Sequence, residues 1–232
     1  MARTAALNMS NFKRPWHLRK ARGLVYATLL SAIAGIGYVS YSTAPDSTQA
    51  WVAARELYGL WALGLVMAAM LIGPIVFVLP RLPLRGHLML ARRALGVSAF
   101  ALAALHVFSY LGPVLLRNWR QLYTPGPLWV AGLALGFPLF VDMTALAFTS
   151  RDGAVRWLGP RRWKKWHRTV YVVLPVALLH ATFVGADFGV NKGPDVPGNP
   201  DAGSLIGMLV FAGVWLLFFV LRKRNIRFGS TR

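Results

Sequence analysis

The chain has 232 residues, 56% hydrophobic and only 14% charged, with a mean hydropathy of +0.49; about a quarter of residues are charged in ordinary soluble proteins, and that class is excluded. A formal charge of +19 raises nucleic acid as a partner, but the basic residues flank apolar runs and leave no folded basic domain, so no nucleic-acid role is expected. With no cysteine, disulfides, thiolate-bound clusters and covalently attached c-type haem are excluded too.

Residues 1 to 22 carry six basic side chains and no acid. They lack the contiguous apolar core and small-residue cleavage site of a removable signal peptide, so the first apolar run, about 23 to 41, is read as a retained helix. Further runs follow at about 57 to 79, 94 to 115, 127 to 149, 169 to 186 and 204 to 221. Each is near or above the 18 residues that suggest a spanning helix. The expected fold class is therefore all-α integral membrane, a six-transmembrane helix bundle. It forms one domain over 23–221, between a basic N-terminal segment (1–22) and a basic tail (222–232).

Lys and Arg set the orientation. If both termini are cytoplasmic, the inner segments hold 22 of the 26 basic residues, and the outer loops keep only Arg55, Arg117, Arg120 and Lys192. Five of the seven acids, Asp46, Glu56, Asp187, Asp195 and Asp201, then fall outside. The Gly, Pro, Asn and Asp-rich stretch from 187 to 203 reads as an irregular outer loop, either a connector or a docking surface. No internal repeat of fixed period is evident.

Two histidines lie deep in apolar runs, where an ionisable ring is costly and usually functional. The third and fifth runs are parallel in this topology, so depths along them compare directly. His106 lies 14 residues past Arg92 and His180 lies 12 past Arg168, roughly 21 Å and 18 Å along their helices. Imidazoles at one level on facing helices meet the requirement of a six-coordinate b-type haem, two neutral nitrogen ligands on opposite sides of one iron. Ala101, Ala103, Ala104, Gly112, Ala177 and Ala181 leave room for a flat macrocycle or serve close helix packing. Two such histidines could equally bond each other or a backbone carbonyl.

His167 stands 13 residues before His180 at the inner membrane edge, roughly 20 Å below it. The matching level on the third run holds Arg92 and Arg93, so the readings open for His167 are a second, five-coordinate haem, a flavin, or a solvated flank. At about 100° per residue the two histidines fall on different helix faces unless Pro175 distorts the helix.

Several segments together carry a resemblance: Arg92-Arg93-Ala94-Leu95-Gly96 leading to Ala104-Leu105-His106 and Ser109-Tyr110, then Leu146-Ala147-Phe148-Thr149-Ser150, then Arg156-Trp157-Leu158-Gly159 and Trp163-Lys164-Lys165-Trp166-His167-Arg168-Thr169-Val170-Tyr171 with His180. The chain resembles the ferric-reductase-like transmembrane family, and within it the haem subunits of bacterial periplasmic methionine sulfoxide reductase systems. The resemblance covers about residues 81 to 186. It implies one or two b-type haems, with FMN in some descriptions. It implies electrons drawn from cytoplasmic flavin reductases or the quinone pool and delivered to a periplasmic molybdopterin subunit, in the bacterial inner membrane. By position His106, His167 and His180 match the family's haem histidines. No Gly-x-Gly-x-x-Gly run is present, so electrons are expected from a separate donor rather than from a nicotinamide domain on this chain.

Arg92, Arg93 and Arg168 are candidate clamps for haem propionates or a flavin phosphate, because guanidinium binds such anions bidentately; positive-inside flanking also accounts for them. Asp142, the one acid expected within the bilayer, either relays a proton or pairs with Arg92 or Arg93. Arg117, Arg120 and Tyr123 sit at the outer mouth, and His17 and His87 are given no role. The competing readings are a ferric-reductase-like or quinol-linked cytochrome b subunit with another acceptor, a proton-coupled transporter without haem, and an assembly subunit with no cofactor.

Overall fold

The computed structural model describes residues 16–79, 81–117, 119–123 and 126–184, with seven positions between 209 and 220. Among the described residues there is no strand. Five helices are long and apolar enough to cross a membrane. The expected sixth span lies outside the described residues apart from those seven positions, which are helical. The 187–203 loop, the 222–232 tail and the first fifteen residues lie outside them as well.

The helices run further than the apolar runs. Helix α1 spans Trp16–Thr43. Helix α2 begins at Ser47, ten residues before its apolar run, and continues to Val78. Asp46 starts it by accepting the backbone N–H of Gln49 at 2.8 Å, the bond that satisfies an orphan donor of the first turn. The Ala-Ala-Arg-Glu-Leu stretch from Ala53 to Leu57 then consists of strong helix formers. Helix α3, Arg85–Arg117, takes in most of what the sequence suggested was an inner loop. Pro127, pre-set in φ, opens α4 (Pro127–Phe148) behind Gly126 at φ 120°.

Between α4 and the last described span the chain forms two short helices, α5 (Asp152–Leu158) and α6 (Pro160–Trp166). Gly159, at φ 74°, makes the turn between them, a left-handed conformation that a side chain would strain. A 3₁₀ turn at His167–Thr169 leads into α7, Val170–Val184.

Helix α2 packs along α3 and α4 along α7, the two most extensive pairings, and α1 lies against α2 and α3. One buried cluster joins Val66, Met67 and Met70 of α2 to Ala99 of α3, Met143 of α4, and Val173 and Leu174 of α7. Another joins Ile36 of α1 to Ala54, Tyr58 and Ala62 of α2 and Leu102 of α3. Large apolar side chains such as Leu24, Leu30, Leu116 and Val172 face outward, as the apolar solvent of a bilayer permits.

Candidate functional site

His106 on α3 and His180 on α7 meet, with ring centroids 6.1 Å apart and ring planes at 87°. Both line one partly open cavity of about 490 Å³ between α2, α3, α4 and α7, a volume within the usual ligand-pocket range of roughly 300–1,000 Å³. Its walls are largely apolar: Leu63, Val66, Leu111, Phe137, Phe140 and Met143 among them. Of the small residues expected to make room, Ala103, Ala177 and Ala181 do line it; Ala101, Ala104 and Gly112 do not.

The hydrogen bonds define the chemistry of the two rings. The Nδ1 of His106 lies 2.8 Å from the carbonyl oxygen of Arg55, and the Nδ1 of His180 lies 2.8 Å from that of Gly132. A carbonyl only accepts, so each Nδ1 carries the proton and donates it. In the neutral ring each Nε2 then keeps its lone pair. This is the arrangement of metal-binding histidines, in which the N–H away from the metal is tied to a carbonyl that orients the ring and raises its basicity.

The spacing fits as well. Two imidazoles bound trans to one first-row metal at about 2 Å each place their centroids roughly 6 Å apart. A pair of neutral nitrogen donors in a largely apolar cavity suits haem iron, and among the described residues no group of three His, Cys, Asp or Glu side chains could hold a bare metal ion.

One end of the cavity is polar. Arg55 and Glu56 line it, 4.0 Å apart across their nearest charged atoms. The Arg55 guanidinium lies 5.4 Å from the Tyr110 ring centroid, and Trp129 Nε1 donates to the Tyr110 hydroxyl at 3.3 Å. The sequence suggested an outer loop for Arg55; it is instead in α2 with a side chain only 16% exposed, because the Asp46 cap starts the helix early.

Other expected site residues lie elsewhere. His167 does not line the His106 and His180 cavity. Its Nε2 is 3.1 Å from Thr149 Oγ1, and its ring stacks on Trp163 at 4.1 Å. Thr149 spends its own proton on the carbonyl of Ala145 at 2.7 Å, so His167 Nε2 is the donor, the opposite tautomer from the other two. Arg93 binds Asp152 at 2.6 Å, Arg92 lies against Gly73 of α2, and Arg168 is exposed. Asp142 pairs with neither Arg92 nor Arg93, the partners expected for it. It accepts a hydrogen bond from Thr169 at 3.0 Å, since the α4 and α7 pairing brings that hydroxyl beside it.

A second cavity, of about 550 Å³, opens at the Arg93 end of the bundle. Arg22, Arg93, Arg151, Ser150 and Asp152 line it, with Tyr26, Phe100 and Phe148 on its apolar wall.

The sequence also aligns with known proteins. Residues 58–178 match the ferric reductase like transmembrane component family, more than half of the chain and a stretch that includes both α3 and most of α7. The chain belongs to the ferric reductase-like transmembrane family. It is a multi-pass membrane protein of that family by its helices as well as by its match.

Among its relatives is the protein-methionine-sulfoxide reductase heme-binding subunit MsrQ of Caulobacter vibrioides, 32% identical over 173 residues that cover 72% of this chain and 78% of the relative. MsrQ of Azospira oryzae is 32% identical over 123 residues, covering 53% of this chain and 50% of that protein. MsrQ of Polaromonas naphthalenivorans is 28% identical over 179 residues, covering 72% and 74%.

Proposed function

We propose that this chain is the haem-binding membrane subunit of a protein-methionine-sulfoxide reductase system and passes electrons across the membrane to a reductase on its outer face. The observation that carries the reading is the pair His106 and His180, each with Nδ1 bound to a carbonyl and each facing one apolar cavity. Four relatives that bear the name of such a subunit support it.

Haem b, bound without a covalent link, would supply the one-electron carrier. His106 and His180 would hold its iron through their Nε2 atoms. The Arg55 and Gly132 carbonyls keep both rings in the required tautomer and stop them from rotating. The walls are largely apolar, and Arg55 offers a guanidinium to a propionate at the polar mouth. We infer no role for His167 in this first centre, because its Nε2 already donates to Thr149.

In the proposed orientation both termini are cytoplasmic in the bacterial inner membrane, which leaves 22 of 26 basic residues inside. The second cavity, with Arg22, Arg93 and Arg151 beside Tyr26, Phe100 and Phe148, then faces the cytoplasm. Electrons enter there from the quinone pool or a cytoplasmic flavin reductase, and the guanidinium groups of Arg22 and Arg151 suit an FMN phosphate, whereas that of Arg93 is taken by Asp152. The acceptor is a periplasmic molybdopterin reductase subunit.

The test is direct. Protein purified in detergent from haem-sufficient cells should be red, with the narrow reduced α band of a low-spin b-type centre, and its dithionite-reduced form should be reoxidised by a periplasmic methionine sulfoxide reductase given sulfoxide. Colourless protein overturns the reading. Red protein that does not reduce that partner redirects it to another acceptor.

A further inference from the structure

Each of the two cavity histidines rests on a glycine of the neighbouring helix, and the two contacts are built alike. A Cβ added at Gly59 of α2 would stand 2.7 Å from His106 Nδ1 and 3.0 Å from its Cε1. One added at Gly136 of α4 would stand 2.8 Å from His180 Cε1 and 2.9 Å from its Nδ1. Carbon atoms do not approach ring atoms so closely without displacing them, since the repulsive wall rises steeply inside van der Waals contact.

The carbonyl that receives each Nδ1–H stands four residues before the glycine: Arg55 before Gly59, and Gly132 before Gly136. That register has a physical reason. In an α-helix the carbonyl of residue i already accepts the N–H of residue i+4, and Cβ atoms lean back toward the helix N-terminus, so the side chain at i+4 overhangs that carbonyl. Only a glycine at i+4 bares the second lone pair to a ring approaching from another helix.

We propose that Gly59 and Gly136 are positioning residues for the histidine ligands. By lacking a side chain they let each imidazole lie against the helix backbone, reach a carbonyl already used in the helix ladder, and turn Nε2 into the cavity. The inference rests on the haem reading above for its consequence, and on the glycine and histidine contacts alone for its geometry. A side chain at either glycine pushes the ring off its carbonyl, and the ligand loses both its orientation and the bond that raises its basicity. Loss of such an outer partner commonly costs roughly 10–100-fold in metal affinity.

The experiment compares Gly59→Ala and Gly136→Ala with Gly64→Ala and Gly112→Ala, where an added Cβ meets nothing within 4 Å. Haem per chain, the low-spin absorption band and the midpoint potential are measured on purified protein. At subsaturating haem each of the first two variants should hold roughly tenfold less haem than wild type or show a low-spin to high-spin conversion, and the last two should match wild type. Wild-type haem content, spectrum and potential in both Gly59→Ala and Gly136→Ala would overturn the proposal.

Should either variant fold poorly, melting temperatures of haem-free protein form a double-mutant cycle. Gly59→Ala should lower the melting temperature when His106 is present and leave it unchanged in a His106→Ala background, because the atoms it strikes are gone. Equal losses in both backgrounds would mean that the glycine serves helix packing instead, and the proposal falls. If the wild-type chain binds no haem, the functional reading fails by itself. The cycle then decides alone: coupling supports the glycine seat and additivity overturns it.

Discussion

His106 and His180 lie 74 positions apart in the chain, and their rings stand 6.1 Å apart in the fold, each tied through Nδ1 to a carbonyl of a third or fourth helix. A haem iron bound by both rings would lose one of its two protein ligands with either substitution, in a cavity lined by both. His106→Ala and His180→Ala should therefore each abolish the low-spin haem band. Haem quantitation and reduced-minus-oxidised spectra check this, and normal low-spin spectra in both variants would refute the pairing.

His167→Ala should leave that band and the haem it reports intact. The ring donates to Thr149 and stacks on Trp163 away from the cavity. Its removal should cost about 1 kcal/mol of stability for the lost hydrogen bond, seen as a lower melting temperature. Disappearance of the low-spin band in this variant would show that the wrong histidines were paired.

Leu102 and Leu174 are 1% and 2% exposed at the centres of the two buried clusters. Replacing either with alanine leaves a cavity that rigid neighbouring helices cannot close, for a cost of about 2–5 kcal/mol. Val172, on the same helix as Leu174 and 60% exposed, should tolerate alanine within about 0.5 kcal/mol. Thermal unfolding in one detergent measures all three, and equal effects at Leu174 and Val172 would contradict the packing.

The Arg93 and Asp152 ion pair is short, but its side chains are 24% and 46% exposed, so water and salt screen it. Asp152→Asn should cost no more than about 1 kcal/mol, with a smaller penalty at high salt and no change in the haem band. A large, salt-independent loss would mean that the pair acts as a buried one.

A reporter fused after residue 232 should be active only in its cytoplasmic form, and one inserted in the 187–203 loop only in its exported form. This outcome follows from the division of basic residues. An exported C-terminus would reverse the assignment of donor and acceptor faces.

Composition and the recurrence of apolar runs were sufficient to read a helical membrane bundle from the chain, and the five described spans fall where five of those runs lie. The common level of His106 and His180 was legible too, because position along a helix is additive at 1.5 Å per residue and needs no knowledge of neighbours. The helix starts were less so. Asp46 caps α2 and strong helix formers carry it through Arg55, whereas the apolar run begins only later.

What one helix presents to another belongs to the tertiary structure. Gly59 and Gly136 look in sequence like any small residue of a membrane helix, and only the rotation of α2 against α3, and of α4 against α7, sets them beneath the two rings. The same rotations give Asp142 the Thr169 hydroxyl in place of an arginine and turn His167 toward Thr149. A sequence specifies the height of each residue on its helix and its angle relative to others on that helix. Which neighbour stands opposite is settled only when all the faces pack together, since each helix's rotation depends on the side chains of the others.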